Sequence, residues 1–311
     1  MKLKFWGTRG SSPRSVSHDS LVEMLVGLAQ NEQLTNDTDK LRATLKGLAR
    51  PLTYGGNTTC IEIKHNSGSF IIDLGTGLVD YGRQIGERSR HHKVFLTHLH
   101  WDHVIGLPFF SPLYEHGSVV DIYHVHSYAA KHLELLFNGI NFPVLWQNIE
   151  AEINFHQLAT RTLVEVDGVA ITPFTLDHPG HAYGYRFDVD GKSVAVALDT
   201  KLDRSTPEEL GKDLVCYQNL DYLIFDSHYE PHELEKHYDW GHSSPARGID
   251  LAFRENISNI VLVHHSPDAV DSDIHRKCED AVTYADKIAA SNGHNSSLRV
   301  LAGYDGLEIT I

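Results

Sequence analysis

The chain has 311 residues, of which 41% are hydrophobic and 22% are charged, a composition typical of a globular protein with a sizeable core. Its 27 Lys and Arg residues stand against 41 Asp and Glu residues, and the formal net charge is −14 at pH 7. Because such a surface repels the phosphates of a long nucleic acid, we expect a small-molecule substrate rather than a polymer.

Cysteine usage and hydropathy indicate the compartment. Cys60, Cys216 and Cys278 lie far apart and form no CxxC pair, so we expect neither a disulfide framework nor a thiolate zinc site. The sequence has no apolar run long enough for a transmembrane helix, and its first residues lack the apolar core of an export signal. We therefore expect a cytoplasmic protein that does not span a membrane.

The predicted elements are mostly short strands. Apolar runs bounded by Gly, Asn and Ser are typical of strands, and they occur at 3–6, 60–64, 69–73, 94–97, 119–124, 169–174, 193–198, 222–225 and 260–263. Helical periodicity occurs at 245–255 and 274–290. Strands that come first in meanders and later alternate with helices predict an α/β fold, an αββα sandwich with helices outside two sheets. We expect one domain over 1–311, with ligands on loops at one end of the sheets.

A helical insertion at about 18–50 interrupts this rhythm near the N-terminus. Two segments with helical spacing of leucine flank a polar stretch at 31–39. A helical hairpin packed on the body of the domain is one interpretation. The alternatives are a contact between two copies of the chain, which would make a homodimer, or a lid over the site.

The strongest functional signal is the motif HLHWDH, which directly follows the apolar run at 94–97. His98 and His100 are two residues apart, so on extended backbone they leave the same face and can bind one cation. Asp102 and His103 follow as the chain turns and can serve a second ion nearby. Four metal-binding side chains within six residues predict a dinuclear metal site.

Further ligands are needed for two ions, and three strand ends offer them. Either His178 or His181, in the turn after the strand at 169–174, can complete the first ligand set. Asp199 follows the apolar strand 194–198, where a bare buried carboxylate would be costly, so we expect it to bridge two cations. Either His264 or His265, after the strand 260–263, should bind the second ion.

At these residues the chain resembles the metallo-β-lactamase superfamily. Within it, the similarity is to the branch of tRNA 3′-processing endonucleases and cyclic-nucleotide phosphodiesterases. The motif at 98–103 matches the HxHxDH pattern of that family without a departure. The resemblance selects His178 and His264 over their neighbours. It implies seven metal ligands, with Asp199 shared: His98, His100, Asp102, His103, His178, Asp199 and His264.

The same resemblance implies roles for residues around the metals. The segment WGHSS places His242 where the branch has a catalytic histidine, and Asp226 lies where the branch has its acidic partner. Asp102 is expected to take part in catalysis as well as in metal binding. Asp73 is expected to hold a ligating histidine from behind. We expect Asn57 and His265 to contact the substrate, and Arg9 is a weaker candidate for reaching the pocket.

These residues imply a hydrolase with two divalent ions. Zinc is the expected metal, and manganese or iron would suit the same ligands. A metal-bridging hydroxide would be the nucleophile, and His242 would protonate the leaving oxygen. The leading hypothesis is a phosphodiesterase acting on a small substrate such as a cyclic nucleotide. The alternatives are a tRNA 3′-processing endonuclease, whose basic glycine-rich arm has no counterpart in this sequence, a lactone or thioester hydrolase, and a metal-bound nucleotide-sensing protein.

Overall fold

Two seven-stranded sheets form the centre of the molecule. The computed structural model describes residues 1–31, 36–48, 51–86, 89–291 and 298–311. The strands of these residues are Lys2–Gly7 (β1), Cys60–His65 (β2), Gly68–Ile72 (β3), His91–Leu96 (β4), Val119–His124 (β5), Glu152–Gln157 (β6), Val164–Val166 (β7), Val169–Leu176 (β8), Ala182–Val189 (β9), Lys192–Ala197 (β10), Tyr222–Asp226 (β11), Asn259–Val263 (β12), Arg299–Ala302 (β13) and Glu308–Thr310 (β14). Their order is β14-β1-β2-β3-β4-β5-β6 in the first sheet and β13-β12-β11-β10-β9-β8-β7 in the second.

The helices lie outside the two sheets. They are His18–Asn31 (α1), Thr38–Lys46 (α2), Gly77–Ile85 (α3), Trp101–Val104 (α4), Ala129–Glu134 (α5), Pro207–Leu210 (α6), Pro245–Arg254 (α7) and Asp271–Ser291 (α8). Buried side chains of α3 pack on the outer face of the first sheet, and those of α7 and α8 pack on the outer face of the second. The predicted αββα sandwich is confirmed.

The main core lies between the sheets and is rich in aromatic rings. Phe95 of β4 is fully buried, and its ring centroid lies 5.4 Å from that of Tyr185 and 5.5 Å from that of Phe187, both on β9 of the other sheet. Contacts of this kind fix the distance between the sheets, and therefore the distance between the loops at their ends.

The parallel strands place several strand ends at the same edge. Strands β10, β11 and β12 are parallel neighbours, and β4 is parallel to both β3 and β5. Residues that follow these strands therefore emerge together, which is where the sequence places its candidate ligands.

The predicted insertion at 18–50 forms helices α1 and α2, while its residues 32–35 and 49–50 lie outside the described residues. The apolar side chains of α1 are largely uncovered, since Leu21, Val22, Leu25 and Val26 are 40–59% exposed. The interpretation of the insertion as a hairpin packed on the domain therefore stays a prediction. The partner-contact and lid hypotheses stay predictions. Nowhere in the described ranges is a helix both long and apolar enough to cross a bilayer.

A carboxylate near the C-terminus joins the loop after β1, which contains Thr8, to the loop before β2, which contains Gly56 and Asn57. Asp305 Oδ1 accepts hydrogen bonds from the backbone N–H and the hydroxyl of Thr8, both at 3.1 Å. Its Oδ2 accepts from the N–H groups of Gly56 and Asn57, both at 2.9 Å. Burial raises the pKa of Asp305 to about 6, although these hydrogen bonds partly oppose the shift.

The pKa of Asp305 predicts a pH-dependent contribution to stability. An unfolded aspartate titrates near about pH 3.9, so protonation of Asp305 favours the folded state below about pH 6. This stabilisation is complete below the unfolded pKa and is lost as the pH rises through the folded pKa. Asp305→Asn removes the titration. We therefore expect wild type to gain unfolding free energy relative to the variant on going from pH 7 to pH 4.

Urea unfolding at the two pH values, with the same chelator present, measures this difference and cancels any effect of metal binding. The variant is expected to be less stable at both pH values, because an amide cannot accept all four hydrogen bonds. A difference between the proteins that is the same at pH 4 and pH 7 would contradict the assignment.

Candidate metal centre and active site

The predicted metal ligands lie at the edge of the sandwich where the parallel strands end. They come from the segment after β4, from α4, from the β8–β9 loop and from the residues after β10 and β12: His98, His100, Asp102, His103, His178, Asp199 and His264. The structure brings these seven side chains together in two adjacent groups.

The first group contains His98, His100, His178 and Asp199, whose ligand atoms all lie within 4.8 Å of one another. Nδ1 of His100 and Nε2 of His178 are 3.1 Å apart. His178 is held from behind, because its Nδ1 donates to the carbonyl of Gly241 at 2.9 Å. Gly241 has φ of 85°, and a Cβ there would lie 2.3 Å from His178 Nδ1, so only glycine fits this position.

The second group contains Asp102, His103 and His264, also within 4.8 Å. Asp102 Oδ2 is 3.2 Å from Nε2 of His264 and 3.3 Å from Nε2 of His103. The backbone N–H of Ser11 donates to the same oxygen at 2.6 Å. Burial alone would raise the pKa of Asp102, but the neighbouring imidazoles outweigh it and hold that pKa below its usual range.

Asp199 lies between the two groups and is 1% exposed. Its Oδ1 is 3.7 Å from Nε2 of His98 and 3.9 Å from Nε2 of His178. Its Oδ2 is 3.1 Å from Nε2 of His103 and 3.3 Å from Nε2 of His264. One oxygen therefore faces each group, which is the arrangement that a bridging carboxylate needs.

Unpartnered polar atoms test whether this centre fits metal ions. Nε2 of His98, Nε2 of His103 and Oδ2 of Asp199 are buried without a hydrogen-bond partner. Burying such atoms unpaired is costly unless they coordinate a cation. Imidazole nitrogens and carboxylate oxygens are the donors that zinc, manganese and iron accept, so the residues present fit a pair of divalent ions.

Asp73 supports the second group from the protein interior. Its Oδ2 accepts a hydrogen bond from Nδ1 of His103 at 2.7 Å, and its Oδ1 accepts from the backbone N–H of Thr97 at 2.8 Å. Burial raises the pKa of Asp73, while the His103 imidazole opposes the shift. Because Nδ1 of His103 donates to Asp73, its Nε2 is left for a metal ion.

Three residues of the centre have strained backbone conformations. Asp73, Asp199 and His264 have φ of 63°, 52° and 59°, in the left-handed region that non-glycine residues rarely adopt. Such conformations persist where the surrounding structure enforces them, as at functional sites. Gly10 leaves room for one of them, since a Cβ there would lie 2.3 Å from the His264 ring.

His242 and Asp226 form a pair next to the two groups. Nδ1 of His242 donates to Oδ2 of Asp226 at 2.9 Å, and that oxygen also accepts from the N–H of Thr200 at 3.1 Å. Burial would lower the pKa of His242, but the Asp226 carboxylate and its hydrogen bond outweigh this effect, and the pKa is raised to about 9.

Sequence reasoning missed His228, which lies against this pair. Its side chain is 5% exposed, and its ring stacks on that of His242 with centroids 4.4 Å apart and planes 17° apart. Burial lowers the pKa of His228 well below its usual range. The sequence signal that could have identified His228 is an imidazole shortly after a buried strand, here β11. The same signal identified the motif at 98–103.

Three other candidates have contacts that do not support a role in substrate binding. The Asn57 amide donates to Asp80 at 2.8 Å and to the Trp6 carbonyl at 3.3 Å. His265 is 1% exposed, and its Nε2 donates to the Gly303 carbonyl at 2.9 Å. Arg9 is equally buried and donates to backbone carbonyls around 266–269. All three side chains hold loops in place.

The relatives that match this chain in sequence are distant. Ribonuclease Z of Natronomonas pharaonis is 23% identical over 293 residues, which are 78% of this chain and 92% of that protein. Ribonuclease Z of Staphylococcus carnosus is 23% identical over 194 residues, and the match spans 58% of each chain.

Solved structures match over nearly the full length. A diphosphatase of the PhnP family superposes with a TM-score of 0.63 at 16% identity, covering 100% of this chain and 97% of that one. The short form of human tRNase Z gives 0.61 at 16% identity, covering 100% and 99%. Yeast PDE1 gives 0.59 at 14% identity, with the same coverage. These likenesses establish a shared fold.

The family follows from a match to most of the chain. Residues 70–265 match the model described as a Beta-lactamase superfamily domain. This range holds the motif after β4, all the other candidate ligands and the pair formed by His242 and Asp226. The chain belongs to the metallo-β-lactamase superfamily of metal-dependent hydrolases.

Proposed function

We propose that the protein is a dinuclear metal-dependent phosphodiesterase that acts on a small nucleotide-type phosphodiester. The observation that carries the proposal is the position of Asp199, whose two oxygens face two separate groups of ligand atoms. The first ion would be held by His98, His100 and His178, the second by Asp102, His103 and His264, with Asp199 shared. Bound there, divalent ions supply a water of lowered pKa and neutralise charge on a phosphoryl group.

His242 is the proposed proton donor to the leaving oxygen. Its Nδ1–H donates to Asp226, so its Nε2 is the nitrogen that remains for a substrate. Asp226 orients the ring and stabilises its charged form. When the bond from phosphorus to the leaving oxygen breaks, the Nε2 proton passes to that oxygen, which becomes a neutral hydroxyl group.

A small substrate agrees with the charge of the chain. With a net charge of −14, the surface as a whole opposes a long polyanion, whose binding depends mainly on cationic contacts. The second candidate function is tRNA 3′ processing, favoured because the relatives that match in sequence bear the name Ribonuclease Z. We keep zinc as the first choice of metal, with manganese and iron as alternatives.

A substrate panel tests the proposal directly. We expect the enzyme to hydrolyse bis(p-nitrophenyl) phosphate and cyclic nucleotides with zinc or manganese, and to leave precursor tRNA, lactones and thioesters intact. Product analysis by chromatography distinguishes these outcomes. Cleavage of precursor tRNA without turnover of small diesters would favour the second candidate instead.

Metal content is expected to depend on the bridging residue. From the ligand set we expect about two ions per chain in protein purified without chelator. Asp199→Ala should lose at least one ion together with activity, because neither group keeps its shared ligand. Asp190→Ala is the matched control, since that carboxylate is exposed and lies outside both groups. Elemental analysis of the folded proteins measures the content, and two ions retained in Asp199→Ala would refute the bridging role.

Replacing the proton donor should affect substrates according to their leaving group. His242→Ala is expected to keep both ions and to slow hydrolysis of 3′,5′-cyclic AMP by about a hundredfold or more. The effect on bis(p-nitrophenyl) phosphate should be much smaller, because nitrophenolate leaves without a proton. Comparing kcat for the two substrates checks this, and an equal loss on both would rule out the acid role.

A further inference from the structure

His228 is a buried imidazole at the centre to which the motifs assign no role. Its ring stacks on that of His242 and lies 5.4 Å from that of His264. One ring nitrogen of each of these three residues lies within 4.8 Å of the others. The side chain therefore belongs to the lining of the site rather than to the hydrophobic core.

The hydrogen atom on the His228 ring can be assigned from its contacts. Nδ1 lies 3.1 Å from the backbone carbonyl oxygen of His264. A carbonyl oxygen only accepts, so Nδ1 carries the hydrogen, and Nε2 of the neutral ring is an acceptor. In the part of the chain that the structure describes, no group hydrogen-bonds this Nε2. Nε2 is thus the atom that remains for a ligand.

The backbone of His228 is held on both sides. Its N–H donates to Oδ1 of Asp226 at 2.9 Å, while the other oxygen of that carboxylate holds His242. Its carbonyl accepts from Nζ of Lys277 at 3.2 Å, and the Lys277 ammonium also contacts the Ser227 carbonyl. One carboxylate therefore positions both imidazoles, which gives the two rings a fixed relation before any substrate binds.

We propose that His228 recognises a hydroxyl group adjacent to the leaving oxygen, which makes the substrate a ribonucleotide whose 3′-oxygen leaves and whose 2′-hydroxyl donates to Nε2. The inference rests on the proposed phosphodiesterase function, because it takes His242 as the proton donor. Two nearly parallel rings 4.4 Å apart offer one proton donor and one acceptor. A ribose offers the complement, an oxygen that takes a proton beside a hydroxyl that gives a hydrogen bond.

The test compares 3′,5′-cyclic AMP with its 2′-deoxy analogue, using kcat/KM of the metal-loaded enzyme. One hydrogen bond to the hydroxyl predicts a preference of about tenfold for the ribonucleotide in the wild type. In His228→Asn the amide can still donate to the His264 carbonyl, but no atom occupies the place of Nε2. The ratio should then fall to about one. A purely structural role would lower both values alike and leave the ratio unchanged.

If His228→Asn does not fold, His228→Phe makes the same test. It keeps a stacked ring but has no nitrogen, so it should lose the preference for the ribonucleotide as well. His237→Asn is the matched control, because its ring contacts Tyr229 and Trp240 at centroid distances of 4.8 and 5.5 Å, and it should keep the wild-type ratio.

Three results would overturn the role of His228 while leaving the phosphodiesterase function intact. They are equal turnover of both nucleotides by wild type, an unchanged ratio in the His228 variants, and hydrolysis of bis(p-nitrophenyl) phosphate without hydrolysis of either nucleotide. Failure of the wild type to cleave any of the three diesters would overturn the proposed function, and the inference with it.

Discussion

The structure depends on a buried carboxylate that requires positive charge on both sides. Asp199 is 1% exposed and adopts a left-handed backbone conformation directly beyond β10. Burying an isolated carboxylate costs on the order of several kcal/mol unless cations or hydrogen bonds offset the cost. Burial opposes ionisation of Asp199, but the surrounding imidazoles outweigh it and hold its pKa well below the usual range. The folded chain therefore assembles a site for cations, with Asp199 at its centre.

The sandwich makes this assembly possible because it collects distant segments at one edge. Asp199 and His264 follow β10 and β12, and Asp226 is the last residue of β11 between them, so their spacing is set by the register of three parallel strands. His98 and His103 follow β4 of the other sheet, whose Phe95 packs against β9 across the core. The metal centre spans the interface of the two sheets, and a shift between the sheets would separate its two halves.

Local signals could be read from the sequence, whereas signals that depend on tertiary contacts could not. The motif at 98–103 and the longer strands were predictable from spacing alone, and the αββα sandwich is confirmed. The choice of His264 over His265 needed the family resemblance, because both follow the same strand and only the fold directs one imidazole to Asp102 and the other to Gly303. Strands β13 and β14 have 4 and 3 residues, too few for a recognisable period. His228 lies in no recognisable motif, and only the tertiary structure places its ring against that of His242.

The direction of each imidazole separates metal ligands from groups that serve the substrate. Nδ1 of His103, of His178 and of His242 donates to Asp73, Gly241 and Asp226 respectively, so all three rings keep Nε2 free. For His103 and His178 this free Nε2 faces Asp199, at 3.1 and 3.9 Å. For His242 it is the hydrogen-bonded Nδ1 that lies nearest Asp199, at 3.9 Å. In the proposed function, its free Nε2 therefore serves the substrate rather than the ions that Asp199 would bridge. In the proposed function, fixed tautomers thus assign one part of this cluster of histidines to cations and another part to protons and hydroxyl groups.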